Sequence, residues 1–299
     1  MSKLYDWVYQ VTAIRRPTGN VGSAPPYYQT TGQQMTFGGV APVGVPNPQL
    51  RVQFEIKRNL GKQPNSTKVI ISNLSTQTRS FLEGKPLSIL FAAGYMDTGP
   101  RLVAGGDVIR AWSNLKDTDY ETTIQVHDGG RASAYARTNR AYRAGTTIKQ
   151  ILVDAAATMG LQLPSTVLND PAINQGIPSG LTLHGRTADV LTEVLSPLGY
   201  NWSMQNGSLC MLKIGQLLPG TSFLINQSSG MIGTPQRTTP DKPKKQSEIL
   251  ITTLLWPELY PGAQITLQSS VESGSFRIKE LTHKGDSYGD DWSTEIRCI

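Results

Sequence analysis

The chain has 299 residues and 38% hydrophobic residues, enough for two or three domains with cores of their own. Charged residues make up only 17%, while 29 glycines and 19 prolines suit strands joined by many turns. No run of about 18 apolar residues occurs, which excludes a membrane-spanning helix, and residues 1–7 lack the apolar core of a signal peptide, so the chain is expected to be made and folded in a cytoplasm.

Residues 4–14 read as a strand, with Trp7, Tyr9, Val11 and Ala13 on one side. Residues 16–49 are rich in Pro, Gly and Gln, with too many prolines for a central strand and too few charges for a typical disordered tail. They are expected to form an extended arm lying on a neighbouring surface. Residues 50–58 alternate cleanly, placing Leu50, Val52, Phe54 and Ile56 inward. Further strands are expected at 68–72, 86–92, 102–114 and 119–127, separated by turn signals such as Asp97-Thr98-Gly99-Pro100 and Lys116-Asp117-Thr118-Asp119. Leu87, Ile89 and Ile124 fall on their inward faces. Together these strands would make a closed or nearly closed antiparallel barrel over 1–139, since closure removes exposed edges.

The period then changes. Ile148, Ile151, Leu152, Ala155, Ala156 and Met159 fall at helical spacing, with Gly160 as the stop. A short strand, Leu181-Thr182-Leu183-His184, precedes a second helix that Thr187 can cap and that carries Val190, Leu191, Val194, Leu195 and Leu198 on one face. Asn206-Gly207 between two alternating runs is a strong hairpin signal. Residues 140–233 are therefore expected to be a small α+β domain. Residues 234–248, with Pro235, Pro240, Pro243, Lys242, Lys244 and Lys245, read as a linker or protruding loop. Residues 249–299 read as a second β-barrel domain, with strands of the middle region able to complete it.

The second β unit repeats the plan of the first. Val69–Leu74 corresponds to Ile249–Leu254, the run from Gly84 to that from Gly262, Val108–Trp112 to the run from Phe276, and the run from Tyr120 to that from Trp292. In each copy a Gly is followed by aliphatics three and five residues later, and an aromatic by Thr and Ile two and four later. Such self-similarity points to a duplicated structural module, although two antiparallel sheets with hairpins can also look alike.

Candidate chemistry is sparse. Phosphate-cradling Gly-rich loops ending in Lys-Ser or Lys-Thr, helical His-Glu-His arrangements and nucleophile-elbow serines are all missing. His127, His184 and His283 each sit near a strand end, where a hydrogen-bonded structural histidine is the common outcome. Asp286, Asp290 and Asp291 beside His283 could offer oxygens to a hard cation, but with Gly285 and Gly289 they also make a hairpin turn, as Asp117 and Asp119 do in the other copy. Trp112 and Trp292 could be carbohydrate platforms, yet each fits its strand's alternation and suits a core or an interface. Cys210 and Cys298 match no metal or redox spacing and are expected to be free thiols. The net charge of +6 includes a basic stretch of Arg131, Arg137, Arg140, Arg143 and Lys149 with no acidic residue between Asp128 and Asp154. It reads as a solvated face, a subunit contact or a phosphate site, and Arg137, Arg140, Arg143 and Lys149 are taken as subunit-interface candidates. No catalytic, cofactor or metal site is assigned, and an enzyme is not expected.

Several runs resemble the baseplate hub proteins of tailed bacteriophages, which are related to hub domains of type VI secretion spikes. These are Phe54–Arg58, Ser72-Asn73-Leu74-Ser75 with Thr78 and Arg79, Phe91–Tyr95, Gly105–Val108, Asn201–Leu209, Gly230–Pro235, and Phe276 through His283 and Asp286 to Trp292 and Ile296. The resemblance covers about residues 50–299 and rests on shared order and spacing. It implies a mainly β fold with two tail-tube-like antiparallel barrels separated by α+β structure, assembled as a homotrimer. Such a trimer would join a sixfold tail tube to a threefold central spike, meet other baseplate proteins, and let DNA pass through its bore without specific binding. It would be assembled in the host cytoplasm and reside in the virion tail. The arm at 16–49 departs from the family pattern. A tail-borne cell-wall hydrolase and a carbohydrate- or receptor-binding β protein remain the competing readings.

Overall fold

The computed structural model describes residues 6–15, 33–39, 50–61, 63–84, 86–213, 222–238 and 247–299. The chain is mainly β. Its first part contains β1 (Trp7–Arg15), β2 (Gln34–Gly38), β3 (Val52–Asn59), β4 (Ser66–Ser72), helix α1 (Thr76–Glu83), β5 (Leu87–Tyr95), β6 (Gly99–Lys116) and β7 (Asp119–His127). Alternation drives this part, since every second side chain of a half-buried strand must leave water. Val52, Phe54, Ile56, Leu87, Ile89 and Ile124 all lie in one core with Tyr9, Val11, Phe91 and Trp292. Residues 16–32 and 40–49 of the arm lie outside the described residues. Residues 34–38 of the arm form β2, which pairs with β1 of the same chain, and Met35 and Phe37 pack against the same core.

The middle part contains α2 (Gly130–Tyr135), β8 (Arg137–Tyr142), α3 (Ile148–Met159), α4 (Ser165–Leu168), β9 (Leu181–Arg186), α5 (Thr187–Leu195), β10 (Tyr200–Gln205) and β11 (Ser208–Lys213). Thr147 caps α3 by accepting a hydrogen bond from the Gln150 N–H, and Gly160 ends it at φ 66°, a left-handed conformation that suits a residue without Cβ. Thr187 does not cap α5 as expected. It is the first helical residue, buried, with its hydroxyl 3.0 Å from that of Thr138, and Arg186 precedes it without a side-chain cap. Asn206 and Gly207 both have positive φ, 49° and 77°, as the two-residue turn between β10 and β11 requires.

The last part contains β12 (Phe223–Ile225), β13 (Met231–Thr238), β14 (Glu248–Leu254), β15 (Gln264–Gln268), β16 (Ser273–Asp286) and β17 (Trp292–Cys298), around a core that includes Ile225, Ile251, Ile265, Leu267, Ile278, Leu281 and Ile296. β13 and β12 pair with β14 and β15.

The mainly β architecture is as expected, and the two β units are continuous with each other. Thirteen of the described strands form one continuous sheet in the order β13-β14-β17-β16-β3-β4-β7-β6-β5-β1-β2, with β15 pairing β16 and β12 pairing β15. Among the described residues the sheet does not close into two barrels by backbone pairing, and the free edge of β3 in the first unit is occupied by β16 of the second. The repeated plan itself is present. Strand order β4-β7-β6-β5 in the first unit matches β14-β17-β16-β15 in the second. In both, the long strand is bulged against its neighbour, the pairing skipping from Val108 to Arg110 in β6 and from Ile278 to Glu280 in β16. Anchored on that bulge, Ser66–Ser72 corresponds to Glu248–Leu254, so Val69 matches Ile251 and not Ile249. A shift of two residues keeps each side chain on its face, which is why alternation alone does not detect it.

Candidate assembly interface

The two β units are joined edge to edge by β3 and β16, from Glu280 opposite Asn59 to Asp286 opposite Gln53. The rung at Gly285 shows why the sequence seats these strands. Gly285 lies between Phe54 of β3 and Trp292 of β17. A Cβ at Gly285 would come within 2.4 Å of the Phe54 ring and 2.6 Å of the Trp292 ring, so only a glycine lets both aromatics fold over this strand. The rings of Phe54 and Trp292 meet edge to face at 5.1 Å, Trp292 stacks on Trp7 at 5.2 Å, and the Trp292 indole N–H donates to the Gly94 carbonyl at 3.2 Å. Trp292 is a core residue of the junction and offers no exposed platform.

Polar groups fix the same junction. The buried His283 ring places Nδ1 2.9 Å from Thr294 Oγ1. Burial, followed by the nearby Arg58 charge, lowers its pKa to about 3, so the ring is neutral. Asp286 accepts from Arg51 Nε and Nη2 at 3.1 and 2.6 Å and from Gln53 Nε2 at 2.8 Å. The Arg51 hydrogen bonds hold its carboxyl at about 2. Asp286 is thus a tie between the units, and His283 faces Thr294; no group of three or more metal-ligating side chains occurs among the described residues.

The middle part is clamped to the end of β3, β4 and β7. Asp128 accepts from the N–H groups of Asn206 and Gly207 at the hairpin tip, at 2.7 and 3.4 Å. Asn65 Nδ2 donates to the Met204 carbonyl at 3.1 Å, Arg58 Nη2 donates to Gln205 Oε1 at 3.0 Å, and Gln205 Nε2 donates to the Asn59 carbonyl at 2.8 Å. Arg58, Asn65 and Asp128 are buried, so these pairings satisfy groups that would otherwise be costly to desolvate.

The basic residues singled out in the sequence fall in the middle part. Arg137 is exposed on β8 and donates to the carbonyls of Ala134 and Ala136, Arg140 pairs with Asp154 of α3 at 2.9 Å, Arg143 is exposed just beyond β8, and Lys149 lies half-buried in the first turn of α3. Arg131 is half-buried, and its backbone N–H donates to Asp107. Trp112 is half-buried with the Arg110 guanidinium 4.7 Å above its ring. His184 is exposed and His127 half-buried, while Asp290 and Asp291 lie in the turn after β16. The sulfurs of Cys210 and Cys298 are free thiols. What sequence reading did not single out is the set Arg58, Asn65, Asp128 and Gln205, although the Asn206-Gly207 turn marked the place they hold.

No protein-family model matches the chain, and no curated protein does. Its fold is nevertheless similar to those of solved tail proteins along nearly the whole length. The 43 kDa tail protein of prophage MuSo2 from Shewanella oneidensis superposes with a TM-score of 0.64 at 9% identity, covering 97% of this chain and 98% of that one. A tail protein from Neisseria meningitidis MC58 gives 0.60 at 12% identity, covering 98% and 96%. The E. coli c3393 protein, described as a type VI secretion component structurally similar to the T4 bacteriophage tail proteins gp27 and gp5, gives 0.57 at 10% identity, covering 86% and 75%. At such identities the likeness establishes the fold.

Proposed function

We propose that this chain is a structural hub of a phage tail baseplate. The observation that carries the reading is the duplicated four-strand plan, joined edge to edge through β3 and β16, on a fold similar to tail proteins over almost the whole chain. A chain bearing two similar units in tandem suits a position between two symmetries. Three copies present six similar units to a sixfold tail tube and threefold symmetry to a central spike, and the heterologous contacts between copies close a ring. Its partners are then the tube protein, the spike protein and other baseplate proteins, its place is the virion tail, and its bore passes DNA without gripping it. Clustered inward-facing cations would bind the phosphate backbone with steep salt dependence. Arg137, Arg140, Arg143 and Lys149, with Arg131, accordingly belong at subunit contacts or on the outer surface. The residues with catalytic or ligating chemistry that lie at the junction, His283 and Asp286, are engaged in holding the two units together.

Electron cryo-microscopy of the purified chain, and of tails containing it, tests the reading. It expects a threefold ring with pseudo-sixfold density stacked on the tube. A monomeric particle in solution together with its absence from the tail axis would refute it.

A further inference from the structure

The repeat leaves two strand edges whose counterparts inside the chain are paired. The internal junction joins β3 of the first unit to β16 of the second. The counterpart of β16 is β6, and that of β3 is β13. Among the described residues, β6 from 110 to 116 pairs with β7 on one edge and carries no strand on the other, because β5 pairs only with its first half. β13 pairs with β14 on one edge and is the last strand of the sheet on the other. An unpaired row of N–H and C=O groups is a template for another strand.

The geometry points to a specific occupant. We infer that the 110–116 edge of β6 takes β13 of a second copy of this chain, repeating between chains the junction that β16 and β3 make within one. This rests on the ring proposed above and names its contact. The correspondence of β6 and β16 extends to side chains: Ser113 Oγ lies 3.0 Å from Thr122 Oγ1 across β6 and β7, as His283 Nδ1 lies 2.9 Å from Thr294 Oγ1 across β16 and β17. The bulge anchor therefore matches Trp112 with Thr282 and Asn114 with Lys284. On the other side, Lys57 opposite Ser66 and Thr238 opposite Glu248 match β3 with β13, so Lys57 corresponds to Thr238 and Glu55 to Gln236. Inside the chain Thr282 faces Lys57 and Lys284 faces Glu55. The intermolecular register is then Trp112 opposite Thr238 and Asn114 opposite Gln236, with no like charges facing at these rungs.

A second observation agrees. At the internal junction the rung Trp292, Gly285, Phe54 is buried and apolar. The corresponding rung carries Leu115 on β6, 61% exposed, and Tyr120 on β7, 43% exposed with the Arg79 guanidinium 4.0 Å over its ring, and Ile232 on β13 is 45% exposed. Leu115 on β6 and Ile232 on β13, both exposed on the two unpaired edges, are what a strand from a neighbour would bury.

Paired cysteines test the register. Opposed residues of an antiparallel pair lie within disulfide reach. A chain carrying Asn114→Cys with Gln236→Cys, or Trp112→Cys with Thr238→Cys, should under mild oxidation give a ladder of covalent dimer and trimer on a non-reducing gel. The single variants and the natural thiols should give none. Glu55→Cys with Lys284→Cys should close within one chain and give no ladder. Light scattering on the same samples separates the two ideas. An oligomer that none of the in-register pairs cross-links overturns the edge pairing and leaves the ring standing. A species of monomer mass at every concentration, with no ladder, overturns both.

Discussion

Gly285→Ala isolates the packing that joins the two units. The backbone at Gly285 is not left-handed, since Gly285 is not among the residues with positive φ. Alanine can therefore adopt it, and by unfolded-state entropy alone the substitution would stabilise the protein by about 0.4–1 kcal/mol. Sterics oppose this. The new Cβ would lie 2.4 and 2.5 Å from two carbons of Phe54 and 2.6 Å from one of Trp292. Both rings are buried, and Trp292 is held by its stack on Trp7 and its bond to the Gly94 carbonyl, so neither can swing into solvent. Overpacking of this kind typically costs about 1–3 kcal/mol. The expected outcome is net destabilisation, read as a lower midpoint in urea with an unchanged slope. Gly180→Ala is the control, because a Cβ there meets only the Tyr142 carbonyl at 3.6 Å. In a Phe54→Leu background the cost of Gly285→Ala should shrink, a coupling that a double-mutant cycle reads directly. A Gly285→Ala protein as stable as the parent would refute the packing argument.

Two further predictions follow from the same junctions. His283 is neutral when folded, with a pKa near 3, and near its ordinary 6.5 when unfolded, so the unfolded state binds the extra proton: stability should fall by about 1.4 kcal/mol per pH unit as pH drops from 6.5 towards 3. His283→Gln should flatten that segment, and parallel pH profiles for the two proteins would count against the assignment. Asp128→Ala removes the acceptor of the Asn206 and Gly207 N–H groups and should cost about 1–3 kcal/mol while speeding amide exchange selectively in β10 and β11; uniform exchange across the chain would contradict the clamp.

Local structure was legible wherever one face of an element is buried. Alternation placed Val52, Phe54 and Ile56 inward, helical spacing found α3, and Asn206-Gly207 found its hairpin. The polar run Thr76–Ser80 hid α1, whose signals are the Ser75 cap and the buried pair Phe81 and Leu82 at its end. Pro235 made residues 234–238 of β13 read as linker, yet proline is tolerated in an edge strand, which β13 is among the described strands. At the junction of β3 and β16, sequence reading singled out Phe54, His283, Asp286 and Trp292 but neither their pairing nor the partners Arg51 and Gln53. Gly285 and Asp286 read as turn residues because Gly and Asp serve turns, whereas one lies under two aromatic rings and the other ties Arg51 and Gln53 across more than 230 residues of chain. Nothing local encodes such a pairing, which exists only once both units have folded.

The two units differ in side chains where their edge partners differ, and this bears on how a ring would avoid closing wrongly. Duplicated units offer duplicated edges, so β3 of one chain could in principle dock on β6 of another instead of on its own β16. Phe54 makes that exchange unfavourable. It fits over Gly285, but the corresponding residue of β6 is Leu115, which carries the Cβ that the Phe54 ring excludes at Gly285. Across from Ile251, the counterpart of the Val69 that Phe54 faces, β13 is bulged between Ile232 and Gln236 and sets no single residue in the place of Phe54. The His283 rung is Ser113 in β6, whose hydroxyl bonds Glu83 and Thr122 where the imidazole bonds Thr294 at the internal junction, so the two rungs are not interchangeable. Specificity between near-identical surfaces requires such mismatches as well as favourable contacts. On the edge pairing proposed here, the glycine and the aromatic that clamp each chain's own halves together also keep its neighbours to the other edge.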